Sequence, residues 1–163
     1  DCLSWTVLKA YTENRAGRVT LRSADPRDPP EINFHYFEEG SDTDGADLKA
    51  VVEAIRFVRR RAEPLRQSGL IAEEEVPGAA IQDDAALAQF VRDRAWGHHA
   101  SCSCAIGARQ SGGVLDSRFR VHGVQGLRVV DASVFPRIPG HFIAGAVYMI
   151  AEKAADVILE DAA

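Results

Sequence analysis

Three groups of side chains in this sequence have the types and spacing to do chemistry. The first is His98-His99 with Cys102 and Cys104. Imidazoles and thiolates bind zinc when four of them converge tetrahedrally, and a thiolate beside an imidazole can act as a nucleophile. A zinc site on His98, His99 and Cys104 would make a metal-dependent hydrolase. Against it, the H-H-x-x-C-x-C spacing lacks the longer gap usual between ligating cysteines, and no second ligand cluster follows. The packing alternative treats both cysteines as small buried hydrophobes. The second group is Asp131 at the end of Val129-Val130-Asp131-Ala132-Ser133, which leads through two prolines into a helix. Unpaired N–H groups at a helix start favour a developing anion, while the plainer alternative has Asp131 capping its own turn. The third is His141, directly after Pro139-Gly140, either an acid–base group or a satisfied polar contact.

These residues need elements to hold them. Residues 17–24 alternate apolar and polar as a half-buried strand does, and the three prolines within 26–30 stop it. Extended character resumes over 32–37, so the two segments read as strands around a Pro-rich turn. Ser41 to Asp44 is a polar cluster suited to capping. After it, Leu48, Val51, Val52, Ile55, Val58, Ala62 and Leu65 recur at helical spacing and predict a helix over about 46–66, ended by Pro64 and Ser68-Gly69. Glu73 to Glu75 reads as a solvated loop. Asp83 or Asp84 caps a second predicted helix over about 85–95, with Leu87, Phe90 and Val91 inward.

From Trp96 the texture changes. Residues 96–113 are rich in small and reactive side chains and have no amphipathic period. Residues 119–123 and 127–131 predict two short strands about a glycine-containing turn. Ile143, Ala146, Val147, Ile150, Ala151, Ala154 and Ile158 predict a largely apolar terminal helix.

Composition narrows the function. With 19 Lys+Arg against 24 Asp+Glu, the formal net charge is −5, and no basic tract offers a footprint for nucleic acid. No apolar run approaches the roughly 20 residues that span a bilayer, so no membrane partner is expected. Three cysteines do not make a disulfide framework, which points to a cytoplasmic setting. The only methionine is Met149, so the sequence as given does not begin at an initiator. Removal of that residue or cleavage from a longer precursor would each account for this.

Read in order, the residues from His99 to Leu159 resemble the C-terminal signature of the glucose–methanol–choline (GMC) oxidoreductases, flavoenzymes that oxidise alcohols. His99-Ala-Ser-Cys-Ser-Cys104-Ala-Ile-Gly107 is similar to that family's H-P-V-G-T-C-x-M-G segment. Val114 to Pro136, with Asp116, Arg118, Arg120, His122, Gly126, Arg128, Asp131 and Ser133 in step, resembles its V-D-x-R-x-R-V-H-G-V-x-G-L-R-V-V-D-A-S-x-x-P run. Ile150 to Asp156 completes the match. Upstream, Ser23 to Ile32 resembles the strand and turn of the family's substrate domain.

The resemblance implies an α+β fold. A mostly antiparallel substrate-domain sheet with covering helices would occupy 1–95. Residues 96–163 would contribute a strand and the terminal helix that complete a flavin-binding domain. It implies FAD as cofactor and a small alcohol as substrate. His99 matches the catalytic base, and imidazole suits that task near neutral pH without a large pKa shift. His98 would line the flavin ring, Asp131 and Ala132 would lie along the flavin chain, and backbone N–H groups around Phe142 and Ile143 would face negative charge on the reduced ring.

Two departures qualify this. The family usually places a second His or Asn six residues after the proline matching Pro136, where this chain has Phe142, with His141 one residue early. His141 is the candidate for that second polar group, and Phe142 favours a rival reading as a non-catalytic assembly or binding subunit. The Gly-x-Gly-x-x-Gly loop that cradles the cofactor's pyrophosphate is also absent from these 163 residues. The expected partner is therefore an N-terminal FAD-binding portion or subunit of the same enzyme.

Overall fold

The structure is a computed structural model, and it describes residues 1–140 and 142–163. The chain divides into two compact units, Asp1–Trp96 and Gly97–Ala163.

In the first unit, β1 (Arg18–Thr20) pairs antiparallel with β2 (Glu31–Asn33), Val19 opposite Ile32. The turn between them is fastened by Asp25, whose carboxylate accepts from the Arg27 backbone N–H at 3.0 Å and pairs with its guanidinium at 2.7 Å. The expectation of a half-buried strand is corrected here. All six residues of the ribbon are exposed, because no third strand or helix of the described residues in this unit covers either face.

Helix α1 (Ala46–Gln67) starts where the capping cluster predicts. Asp42 accepts from the backbone N–H groups of Ala46 and Asp47, each at 2.8 Å, satisfying donors that the helix leaves unpaired. Pro64 does not end the helix as expected. Its ring removes one donor, but its own carbonyl accepts from Ser68 at 3.0 Å, so the last turn closes beyond it. Helix α2 (Asp84–Arg94) is capped by Asp83, whose carboxylate accepts from the Ala86 N–H at 2.9 Å. Val52 of α1 and Leu87 and Val91 of α2 form the buried core, with Leu48, Val51, Ile55 and Phe90 packed around it. The Glu run is less solvated than expected, since Glu74 pairs with Arg59 at 3.0 Å and both are mostly covered.

One charge in this unit is buried. Asp47, 1% exposed, accepts from the backbone N–H groups of Glu13 and Asn14 at 2.9–3.0 Å and pairs with Lys9 at 3.2 Å. Burial pushes its carboxyl upward, but those N–H bonds and the Lys9 ammonium outweigh it and hold the group below the usual carboxylate range. Asp47 thereby ties the N-terminal segment to the first turn of α1.

The second unit ends in α3 (Ala144–Ala162), the predicted terminal helix. The two strands expected over 119–123 and 127–131 do not form. The segment carries single bridges instead, Leu115 with Val121, Arg120 with Arg128, and a parallel one between Ile106 and Leu115. Gly123 and Gly126 both take left-handed backbone (φ 82° and 72°), so the chain turns twice within four residues and no ladder can lengthen. Leu115, Phe119, Val134 and Ala154 are the buried centre, with Cys104, Ile106, Val121, Val129 and Ile150 against them. Among the described residues no helix is long and apolar enough to cross a membrane.

Candidate active site

The segment carrying His98 and His99 has no regular structure, so its course is set by what it hydrogen-bonds. Cys102, Cys104 and Ile106 donate their backbone N–H groups to the carbonyls of Ala132, Ser133 and Val134 at 3.2, 2.9 and 2.9 Å. This lays residues 102–106 along the short turn of 3-10 helix at Ala132–Val134, with Cys104 and Ile106 facing the core. The packing role is thus the one the structure gives Cys104. Among the described residues no cluster of three His, Cys, Asp or Glu could hold a metal ion, and the zinc site is not formed.

The segment is closed off by an unusually tight backbone approach. A Cβ placed on Gly113 would stand 2.2 Å from the Gly107 carbonyl oxygen, so only glycine fits. The His122 ring bonds the same carbonyl at 2.9 Å. Sequence reasoning did not single out Gly113, although the Gly112-Gly113 pair was its visible signal.

His99 itself is half-buried and adopts left-handed backbone (φ 53°), an uncommon conformation for a residue with a Cβ. Its imidazole lies against two other rings. Phe142 meets it edge-on at 5.9 Å between centroids with an interplanar angle of 76°, and His98 lies at 6.3 Å with an angle of 48°. Phe142 is 84% exposed.

Phe142 also marks the leading end of α3. Ile143, buried, occupies the cap position without a side-chain capping bond, and no acidic residue lies in the first turn. The first N–H groups of α3 therefore present partial positive charge next to the His99–Phe142 pair. Asp131 is exposed and caps the 3-10 turn, its carboxylate accepting from the Ser133 N–H at 2.8 Å and from the Ser133 hydroxyl. That is the plainer of its two sequence readings, and it leaves Ala132 half-buried on the turn that the 102–106 segment follows. His141 lies outside the described residues.

These groups fit one end of a flavin and not the other. A half-buried imidazole, aromatic faces and uncapped N–H groups are the donor set that a planar, anion-forming ring would use. The pyrophosphate and adenosine have no such provision, since the glycine-rich loop they require is absent from these residues.

Comparison with known proteins gives the family. The family model for the C-terminal part of the GMC oxidoreductases matches residues 13–151. An oxygen-dependent choline dehydrogenase of Paraburkholderia phymatum is 43% identical over 143 residues, covering 87% of this chain and 24% of that protein. A formate oxidase of Aspergillus oryzae, solved in work on its FAD modification, superposes with a TM-score of 0.73 at 34% identity, over 89% of this chain and 25% of that one. A FAD-dependent oxidoreductase from Chaetomium thermophilum gives 0.69 at 32% identity, over 89% and 24%. The chain spans about a quarter of the length of the relatives it matches. A match over most of the chain, carried through the histidine segment and the Asp131 turn and into the first turns of the terminal helix, makes this chain a member of the GMC oxidoreductase family, corresponding to its C-terminal part.

Proposed function

We propose that this chain is the C-terminal catalytic portion of a FAD-dependent oxidoreductase acting on the CH–OH group of a small alcohol. When bound, FAD supplies the two-electron acceptor that takes the carbinol hydrogen as hydride. His99 takes the hydroxyl proton on a ring nitrogen, leaving the carbonyl product. The N–H groups at the start of α3, around Phe142 and Ile143, hold the negative charge that accumulates on the ring. His98 lines the same face, and Asp131 and Ala132 run along the flavin's side chain. His141 is the candidate second polar group.

The observation that carries this reading is the edge-on contact of His99 with Phe142, which sets an imidazole beside an uncapped helix start. Residues N-terminal to this portion hold the nucleotide half of the cofactor. The exposed apolar residues of the β1–β2 region, Val19, Leu21, Ile32 and Phe34, offer surface for such a partner to cover. Residues 1–95 serve as part of the substrate-binding domain, and 96–163 complete the flavin domain.

The test is anaerobic reduction of the FAD-loaded full-length protein by a panel of alcohols, followed at the flavin absorbance. Bleaching that His99→Gln abolishes supports the proposal. A flavin that no alcohol bleaches supports instead the reading as a non-catalytic assembly or binding subunit, which the apolar Phe142 favours.

A further inference from the structure

The segment that carries His99 closes at the carbonyl of Gly107, on which a ring nitrogen and a bare backbone converge. The His122 Nε2 lies 2.9 Å from that oxygen, and a Cβ on Gly113 would stand 2.2 Å from it. We infer that His122 is a positioning residue for His99, acting through a hydrogen bond from its ring N–H to the Gly107 carbonyl. The inference rests on the reading of His99 as base.

The backbone at His99 does not hold itself. His99 and Cys102 both take left-handed backbone (φ 53° and 71°), a strained conformation for residues with a Cβ. Residues keep such a conformation only where the surrounding chain fixes them. Downstream of His99 that fixing comes from two sides. Cys102, Cys104 and Ile106 donate to the turn at Ala132–Val134, and the Ala105 carbonyl accepts from the N–H groups of Val114 and Leu115 at 2.8 and 3.2 Å. Gly107 is the last residue of the run and is held at both of its polar groups. Its N–H donates to the Leu115 carbonyl at 2.9 Å, and its own carbonyl is the one the His122 ring takes.

The geometry at His122 is specific. Its backbone N–H donates to the Val114 carbonyl at 2.9 Å, while its side chain bonds Gly107. One residue thus ties two stretches of chain that also pair with each other. A side chain on residue 113 would crowd the same oxygen, so the glycine there keeps the carbonyl open to the ring. A carbonyl can only accept, so Nε2 carries the proton and Nδ1 is the acceptor of the neutral ring. The tie requires of His122 a donor at fixed reach, and no acid or base chemistry.

The experiment uses the FAD-loaded full-length protein carrying His122→Phe, which keeps a ring and loses the donor, or His122→Gln, which keeps an N–H at similar reach. The limiting rate of anaerobic flavin reduction and the apparent Kd are read with ethanol and benzyl alcohol as probes. His122→Phe is expected to lower the limiting rate about tenfold with Kd held within about twofold, the order that a small misplacement of a reacting group costs. His122→Gln returns the rate to within about threefold of the parent. In a His99→Gln background, His122→Phe adds no further loss, since the group it positions is gone. A parental rate in His122→Phe, a His122→Gln as slow as His122→Phe, a loss confined to Kd, or a loss undiminished in the His99→Gln background each overturns the inference. Nitrogen-15 NMR of the histidine-labelled parent needs neither variant nor turnover. An Nε2–H tautomer at His122, with its proton protected from exchange, is the expected result, and an Nδ1–H tautomer overturns the inference. Failure of the underlying reading has a different signature, namely flavin reduction that survives His99→Gln with either alcohol.

Discussion

Arg118 and Asp161, 43 positions apart in sequence, form the joint that fixes the far end of α3. The Arg118 guanidinium donates to Asp161 at 2.7 Å, to Glu160 at 3.2 Å and to the Val157 carbonyl at 3.2 Å. Arg120 and Arg128 reach the same Asp161 carboxylate. A helix end carries partial negative charge and unpaired carbonyls, so a guanidinium bonded to both an end carbonyl and an end carboxylate acts as its cap.

Removing that cap should loosen the helix from its C-terminal end. Arg118→Ala is expected to speed amide hydrogen exchange over residues 157–162 roughly two- to fivefold, leaving the first turn of α3 unchanged. The Arg118 guanidinium holds the Asp161 carboxyl below its ordinary range. The unfolded chain thus binds this proton more readily. The stabilisation is fully present above the unfolded pKa and is lost as pH falls through the folded one. Exchange that accelerates uniformly along α3, or not at all, would contradict the capping role.

Asp47 makes the sharper acid-dependent prediction because it is buried. Asp47→Asn keeps the size but removes the charge that two backbone N–H groups and Lys9 address. It should destabilise the first unit by about 2–3 kcal/mol in denaturant titration. With its carboxyl held low in the folded state, Asp47 stabilises the unit above the unfolded pKa. That contribution declines as pH drops through the folded value. The difference between parent and variant should shrink in acid, and a difference independent of pH would rule this out.

Gly113→Ala tests the support under the histidine segment. The added methyl would meet the Gly107 carbonyl oxygen at 2.2 Å, and backbone cannot yield as a flexible side chain does. A loss of about 1–3 kcal/mol is expected. In the full-length protein, flavin reduction should slow as well, since His99 and Gly107 belong to one segment. Full stability and full activity together would show that the approach is looser than described.

His99→Gln should slow reduction of bound flavin by alcohol about 10²- to 10⁴-fold, the usual worth of a positioned general base. Rapid-mixing spectroscopy resolves that step from reoxidation. Raising the pH should partly recover the variant, as alkoxide becomes available without a base, and a rate that stays within threefold of the parent would remove His99 from the chemistry.

Helices α1 and α2 were legible because each carries its own punctuation, and α3 through its apolar period alone. Asp42 and Asp83 accept from the first-turn N–H groups of α1 and α2, and the apolar period runs unbroken between cap and end. The strands were not. Val19 and Ile32 alternate with polar neighbours, yet both are exposed, since alternation reports a face that can be covered and not whether the described residues cover it. Over 119–131 the glycines were read as a turn between two strands, but Gly123 and Gly126 each take left-handed backbone and the pairing stays at single bridges. Spacing brought His99 to notice as one of a His and Cys group, but its role as base came only from the family resemblance. The Arg118–Asp161 joint had no local signal at all, because partners so far apart meet only in the fold.

The left-handed backbone at His99 makes chemical rescue feasible there. Shortening the residue to glycine relieves a conformation that costs an ordinary side chain about 1 kcal/mol or more, so the excision is partly offset where it occurs. The hollow it leaves beside Phe142 is the size of the lost imidazole. Free imidazole supplied from solution could then stand in as a titratable reagent of adjustable basicity. The proton-accepting step would become something an experimenter can tune by choosing the heterocycle.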